Sequence, residues 1–294
     1  MGRKKHKVRR YLLPVCSVTP VSFVDTVVLT MPKLMPKRCF NDLRRALVRE
    51  LRPLRRQIVW KRFTFGTHGY FFNLYVHQPT SRALEVIAGL GEQARISQVH
   101  IALDLTVSSK DEAELLRRHL AARLLVSDRP KTPTYEVKES TTYFNRHMAA
   151  GVEVALYADR LSKGSGEPCC HVEWRIKGAG TLRKFGLESA EKIANLKLQP
   201  FWQGVLRLSR APTVDRLAEA RERELRDRGL PVQSARQDAA ELLSSVAGKD
   251  GDVSSHNLRC KLREMPAFVG RRAYRLFVAE STHWLIPSNT VNPW

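Results

Sequence analysis

The chain has 294 residues, 43% of them hydrophobic, enough for one large domain or two ordinary ones with a buried core. Fifty Lys and Arg against 29 Asp and Glu leave a formal charge of +21, a self-repelling surplus that a polyanion would neutralise, with nucleic acid the first candidate. No apolar run reaches the roughly 18 residues of a membrane span, so no membrane partner is expected. The basic start has no apolar signal core, and five cysteines without a CxxC pair fit a reducing cytoplasm better than a disulfide framework.

Residues 1–62 hold 17 Lys and Arg against Asp25, Asp42 and Glu50, which concentrates two thirds of the surplus in a fifth of the chain. Residues 1–14 read as a basic flexible arm whose Arg3, Lys4, Lys5, Lys7, Arg9 and Arg10 would order on phosphate; a solubilising tail is the competing reading. Val21–Met31 is rich in β-branched residues and closed by Pro32, which predicts a strand and a turn. In Cys39–Leu54 the apolar Phe40, Leu43, Leu47, Leu51 and Leu54 recur at helical spacing, while Arg44, Arg45 and Arg49 make the other face cationic. Residues 57–77 alternate around Thr67-His68-Gly69 and predict a hairpin carrying Lys61 and Arg62. Its aromatics, from Trp60 to Tyr75, can build core or stack on bases.

A helix over Ser81–Gln93, a strand over Gln98–Val107 and a helix from Ser109 follow; Asp111, Glu112 and Glu114 suit the positive end of the last helix's dipole. Strands are then expected over Thr134–Asn145, Val152–Asp159 and Cys169–Lys177. The fold class is therefore α+β, a mixed or antiparallel sheet with helices packed on it, over a domain at 15–210. Helices over Glu188–Leu198, Thr213–Arg228, Ser234–Val246 and Ser254–Glu264 point to a smaller, mostly helical unit at 211–294. The last two helices, with the strand-like stretch from Arg271 and Arg272 to Ile286, fit a helix-turn-helix with a β-extension or a plain helix pair.

Period-two alternation sorts the chemistry. On Gln98–Asp104 it sends Val99, Ile101 and Leu103 to one face and His100 and Asp104 to the other; on Gly151–Asp159 it groups Glu153 with Tyr157; on Cys170–Lys177 it groups His171, Glu173 and Arg175. If the three polar faces meet, Asp104, Glu173, His100 and His171 are candidate ligands for Mg²⁺ or Mn²⁺, with Asp104 preferred. Arg175 would offset developing charge and a tyrosine would attack a phosphate. Alternating polar residues on a half-exposed sheet produce the same pattern with no site. No zinc, P-loop or Ser-His-Asp signature is present.

Four short segments within Val99–Leu187 add a resemblance. Gln98–Asp104 resembles an R-I-D-x-A-x-D strand, Thr142-Tyr143-Phe144-Asn145-Arg146 a T-x-Y-x-G-S-R segment, Val154–Arg160 a hydrophobic-x-Y-D/E-K segment, and Cys170–Arg175 an R-x-E-x-R strand. Together they resemble the replication initiation factor family of rolling-circle plasmids and filamentous phages, relatives of the staphylococcal plasmid initiators. The resemblance implies Rep-like, ferredoxin-like elements and an endonuclease and strand transferase that cuts one DNA strand at an origin through Tyr157 or Tyr143 and a divalent metal. Tyr157 is preferred because its strand sets it beside Glu153. It also implies origin DNA, single-stranded or cruciform, as partner, with a host helicase and a second copy of the chain as further candidates. His100 stands where the family has an acid, and Asn145 where it has glycine. The alternative is a non-enzymatic DNA- or RNA-binding protein of a plasmid or phage.

Overall fold

The computed structural model describes residues 17–31, 37–50, 58–65, 69–126, 135–138, 141–145, 151–247, 253–264 and 276–286, with backbone alone described at 37, 58–65, 69–72, 135–138 and 263–264. The β-branched stretch forms β1 (Thr19–Met31), and the arginine-rich amphipathic segment forms α1 (Lys37–Glu50). The hairpin strands are β2 (Ile58–Phe65) and β3 (Gly69–His77), paired antiparallel. The next helix, α2 (Ser81–Ala88), stops short of the expected Gln93, and Gly91–Gln93 continues as a 3₁₀ turn. Then come β4 (Arg95–Thr106) and α3 (Lys110–Arg123), whose Ser109 side chain accepts from the Glu112 amide and caps the helix start.

The single strand expected over Thr134–Asn145 is instead two, β5 (Tyr135–Lys138) and β6 (Thr141–Phe144), paired antiparallel. The intervening Glu139-Ser140 has neither the Asn-Gly nor the Gly that marks a tight hairpin, so the break carries no sequence signal. β7 (Val152–Tyr157) and β8 (Cys169–Lys177) complete one eight-stranded sheet in the order β2-β3-β1-β4-β8-β7-β6-β5, antiparallel at every pairing.

Residues opposed across a ladder share a face. Val99, Ile101, Leu103, Val172, Trp174, Ile176, Val154 and Leu156 therefore lie together, buried. α3 and α4 (Ala179–Lys184) pack on this apolar side, and Trp202 of α6 (Leu198–Val205) meets Trp174 edge to face at 6.3 Å. Between them α5 (Ala190–Ala194) packs against α2. The helix expected over Glu188–Leu198 is thus only the short α5, and α6 begins at Leu198 where it was expected to end. Gly151 sets the start of β7: at φ +76° an added Cβ would meet the Thr181 hydroxyl oxygen at 2.2 Å, and its carbonyl accepts from the Lys177 amide.

Beyond β9 (Leu208–Arg210), α7 (Val214–Asp227), α8 (Ala235–Val246) and α9 (Ser255–Glu264) share a second small core of Leu217, Ala239, Leu242, Leu258 and Leu262. The chain then returns as β10 (Val278–Glu280), pairs with β9, and ends its described part in a 3₁₀ turn at His283–Leu285. α9 also faces the sheet body: His256 is buried edge-on to Phe144 at 5.1 Å, and the Arg259 guanidinium donates to the Val126 carbonyl at 3.1 Å. Among its side chains described at 255–262, Lys261 alone is exposed. A helix that reads DNA must lie open to a groove, so the plain helix pair fits this packing better than a helix-turn-helix reader. Among the described residues, no helix is long and apolar enough to cross a membrane.

Candidate metal and tyrosine site

The face opposite the helices carries the polar residues. His100 stands opposite Arg175, Ala102 opposite Glu173 and Asp104 opposite His171; on the next ladder Glu153 faces Arg175, Ala155 faces Glu173 and Tyr157 faces His171. One further strand over, Thr141 faces Tyr157 and Tyr143 faces Ala155. The small residues Ala102 and Ala155 flank Glu173 and leave room above the sheet.

β1 adds a residue that alternation on β4, β7 and β8 did not include. Val24 opposes Ile101 and Thr26 opposes His100, so Asp25 is the extra residue of a β-bulge. Asp25, His100 and Glu173 each offer a ligand atom, and these atoms lie within 4.8 Å of one another. The His100 Nδ1 is 2.6 Å from Glu173 Oε1. Arg175 donates from Nη2 to the other Glu173 oxygen at 2.7 Å and from Nη1 to Glu153 at 2.6 Å. The Lys163 ammonium pairs with Asp25, whose carboxylate also accepts from the Thr26 hydroxyl at 3.0 Å. Two carboxylates and an imidazole, gathered and nearly buried, are a donor set that can hold a divalent ion.

Burial works to raise the Glu173 carboxyl, but His100 and Arg175 outweigh it and hold the group well below the usual carboxylate range. Glu153 goes the other way: burial raises it despite the Arg175 bond. Arg175 resists burial because Glu173 and Glu153 fix it as a cation.

Above these groups lies a cavity of about 290 Å³ lined in part by Asp25, Glu173, Arg175, Lys163, Tyr143 and Tyr157. The two tyrosines differ. Tyr157 is buried, with its ring centre 4.4 Å from that of His171; burial first, then the Glu173 and Asp25 charges, push its phenol far above the ordinary range. Tyr143 is half-buried, with the Arg175 guanidinium 5.8 Å from its ring centre. Tyr157, the tyrosine preferred from the sequence, thus lines the cavity in surroundings that disfavour its phenolate, while Tyr143 lines the same cavity from a half-buried position.

Asp104 and His171, expected among the ligands, sit apart from this group. One Asp104 oxygen pairs with His171 Nδ1; the other accepts from the Ser162 hydroxyl at 2.7 Å and the Lys163 amide at 3.0 Å. Four residues of strand, about 13 Å, separate Asp104 from His100, and its fully buried carboxylate fastens the β7–β8 connection instead. That anchoring brings the Lys163 side chain to the cavity. Asp25, His77, Arg160 and Lys163 are cavity residues that sequence reasoning did not assign to the site; a lone acid inside an apolar, β-branched strand was the available signal for the first.

Of the expected phosphate contacts, Arg44, Arg45 and Arg49 are exposed on α1 and line, with Asn41 and Val48, a surface hollow of about 480 Å³. Leu43 and Leu47 anchor the opposite side of that helix. Arg3, Lys4, Lys5, Lys7, Arg9, Arg10, Arg271 and Arg272, the side chains of Lys61 and Arg62, and the Thr67-His68 part of the hairpin turn lie outside the described residues.

Asn145, at the end of β6, takes the left-handed conformation at φ +56°, a region that asparagine visits more readily than most residues. Compared with known proteins, the chain matches no family model, no curated protein and no solved structure.

Proposed function

We propose that the chain is a metal-assisted DNA strand transferase of the rolling-circle initiator kind, with Asp25, His100 and Glu173 as metal ligands and Tyr143 as nucleophile. The observation that carries this reading is the meeting, around one cavity, of a carboxylate-imidazole triad, a half-buried tyrosine and three cations, Arg160, Lys163 and Arg175. A divalent ion held there would polarise a phosphodiester and offset the charge that gathers on it. Arg175, kept cationic by its two glutamates, lies beside the Tyr143 ring and would share that task.

In the proposed reaction the Tyr143 oxygen attacks phosphorus and forms a tyrosyl-phosphate bond while the bond to the 3′ oxygen breaks. The phenol proton passes to solvent and the departing 3′ oxygen takes one from solvent to become a hydroxyl; the 5′ phosphate stays on the protein, and the reverse step rejoins a strand. Exposed Arg44, Arg45 and Arg49 on α1 support DNA as the substrate, since they offer phosphate contacts. We also assign the protein to the cytoplasm on this reading.

The test incubates the full chain with an end-labelled library of single-stranded and hairpin DNA and Mn²⁺, then denatures it. A labelled adduct is expected that disappears in Tyr143→Phe and persists in Tyr157→Phe. Loss in Tyr157→Phe alone would move the nucleophile. Salt-sensitive binding with no adduct on any member would overturn the enzyme and leave the non-catalytic nucleic-acid-binding reading, which the α1 arginines also support.

A further inference from the structure

The triad contains an imidazole, and the ring nitrogen turned away from Glu173 has a companion. Gln98 lies two residues before His100 on β4, on the same face, and its side-chain amide reaches the His100 Nε2. The other ring nitrogen, Nδ1, is the one directed at Glu173 Oε1, 2.6 Å away. Two ligands at right angles around an ion, each about 2.1 Å from it, stand roughly 3 Å apart. A few tenths of an ångström of separation would therefore turn the hydrogen-bonded His100–Glu173 pair into two neighbouring ligands, with the ion in place of the proton.

Gln98 suits that exchange. When Nδ1 carries the proton toward Glu173, Nε2 is an acceptor and the Gln98 amide nitrogen donates to it. When Nδ1 binds an ion, the ring proton must sit on Nε2 and needs an acceptor, which the same side chain supplies by turning its amide oxygen inward. A glutamine can serve both tautomers; a carboxylate would serve only the second.

We infer that His100, oriented by Gln98, makes this centre select a first-row transition ion of the Mn²⁺ type over Mg²⁺. Mg²⁺ binds oxygen ligands and gives up its water reluctantly, whereas imidazole is a common ligand of the transition divalents. The inference rests on Asp25, His100 and Glu173 being the metal site, and it makes Gln98 a positioning residue that touches no metal.

The experiment measures Mn²⁺ binding to the full chain by electron paramagnetic resonance, with Mg²⁺ as competitor, and looks for nitrogen coupling to the bound Mn²⁺ by pulsed methods. Wild type should bind Mn²⁺ at least about tenfold more tightly than Mg²⁺ and show one histidine nitrogen. His100→Asp should lose the nitrogen signal and bring the two affinities within a few-fold. Gln98→Leu should weaken Mn²⁺ by about tenfold, and Gln98→Glu should restore it. Bound Mn²⁺ without nitrogen coupling in wild type, a reading that needs no variant to fold, would overturn the selectivity while leaving the site. Equal Mn²⁺ and Mg²⁺ affinities would do the same. Binding of neither ion, or binding unchanged in Glu173→Gln, would overturn the metal centre itself.

Discussion

Asp25 and Asp104 are both buried carboxylates on the polar side of the sheet, yet their partners divide them. Asp104 spends its oxygens on His171, Ser162 and the Lys163 amide, while Asp25 faces the cavity with His100 and Glu173 close by. Removing the Asp104 charge leaves buried donors poorly matched, at about 2–3 kcal/mol for charge-assisted bonds of this kind. Asp104→Asn is thus expected to lower the denaturant midpoint clearly and keep Mn²⁺ affinity near wild type. Asp25→Asn should also cost some stability, because Lys163 and Thr26 bond its buried carboxylate, but unlike Asp104→Asn it should lower Mn²⁺ affinity by at least the 10- to 100-fold, roughly, that indirect changes around a metal produce. Matched melts and Mn²⁺ titrations decide between them. If Asp104→Asn abolishes binding at full stability, the division fails. Alternation on β4 correctly turned both His100 and Asp104 to one side. It could not say which has neighbours free to share a ligand, because those neighbours come from β1 and the β7–β8 connection, about 60 to 80 residues away in sequence.

At the scale of elements, the strands with clean alternation were legible. β4, β7 and β8 fall within a few residues of their expected limits, and their ladders bring the three polar faces together as alternation requires. The bulge at Asp25 was not legible, since a register shift is set by pairing and leaves the sequence of β1 looking like a regular strand. The α1 helix carries its own prediction. Its apolar side is held by Leu43 and Leu47, while Arg44, Arg45 and Arg49 project outward; the Arg45–Asp42 pair is a surface contact at 2.7 Å worth little to the fold. Replacing all three arginines by alanine should leave the melting temperature nearly unchanged. If each meets one phosphate, the slope of log affinity against log salt for single-stranded DNA should become shallower by about 2. Fluorescence anisotropy at several salt concentrations measures this; an unchanged slope, or no binding, would count against α1 as a phosphate-contacting surface.

For the whole molecule, the main question is how the helical C-terminal part is held to the sheet body. Composition separated the two regions but could not show their contact, which is made by isolated polar groups as much as by apolar ones. Glu280 on β10 accepts from Arg123 on α3 and from Arg210 on β9. Beside them His119, on α3, is 5% exposed, meets the Trp284 ring at 6.3 Å, and has no hydrogen-bond partner for either ring nitrogen among the described residues. Burial, then the Arg123 charge, lowers its pKa to about 4 from an ordinary 6.5. The folded chain therefore keeps this imidazole neutral where the unfolded chain protonates it. Its contribution to stability is whole above about pH 6.5 and is lost as pH falls from 6.5 towards 4, amounting to about 3 kcal/mol at most. Other groups titrate in that window too, so the measurement is a difference: urea unfolding of wild type and of His119→Leu at pH 7.5, 6, 5 and 4.5. Wild type should lose more stability than the variant across that range, with the gap opening below pH 6.5. Parallel curves would mean that His119 already reaches solvent in the native state, and that the docking of residues 278–286 over α3 is looser than its burial indicates.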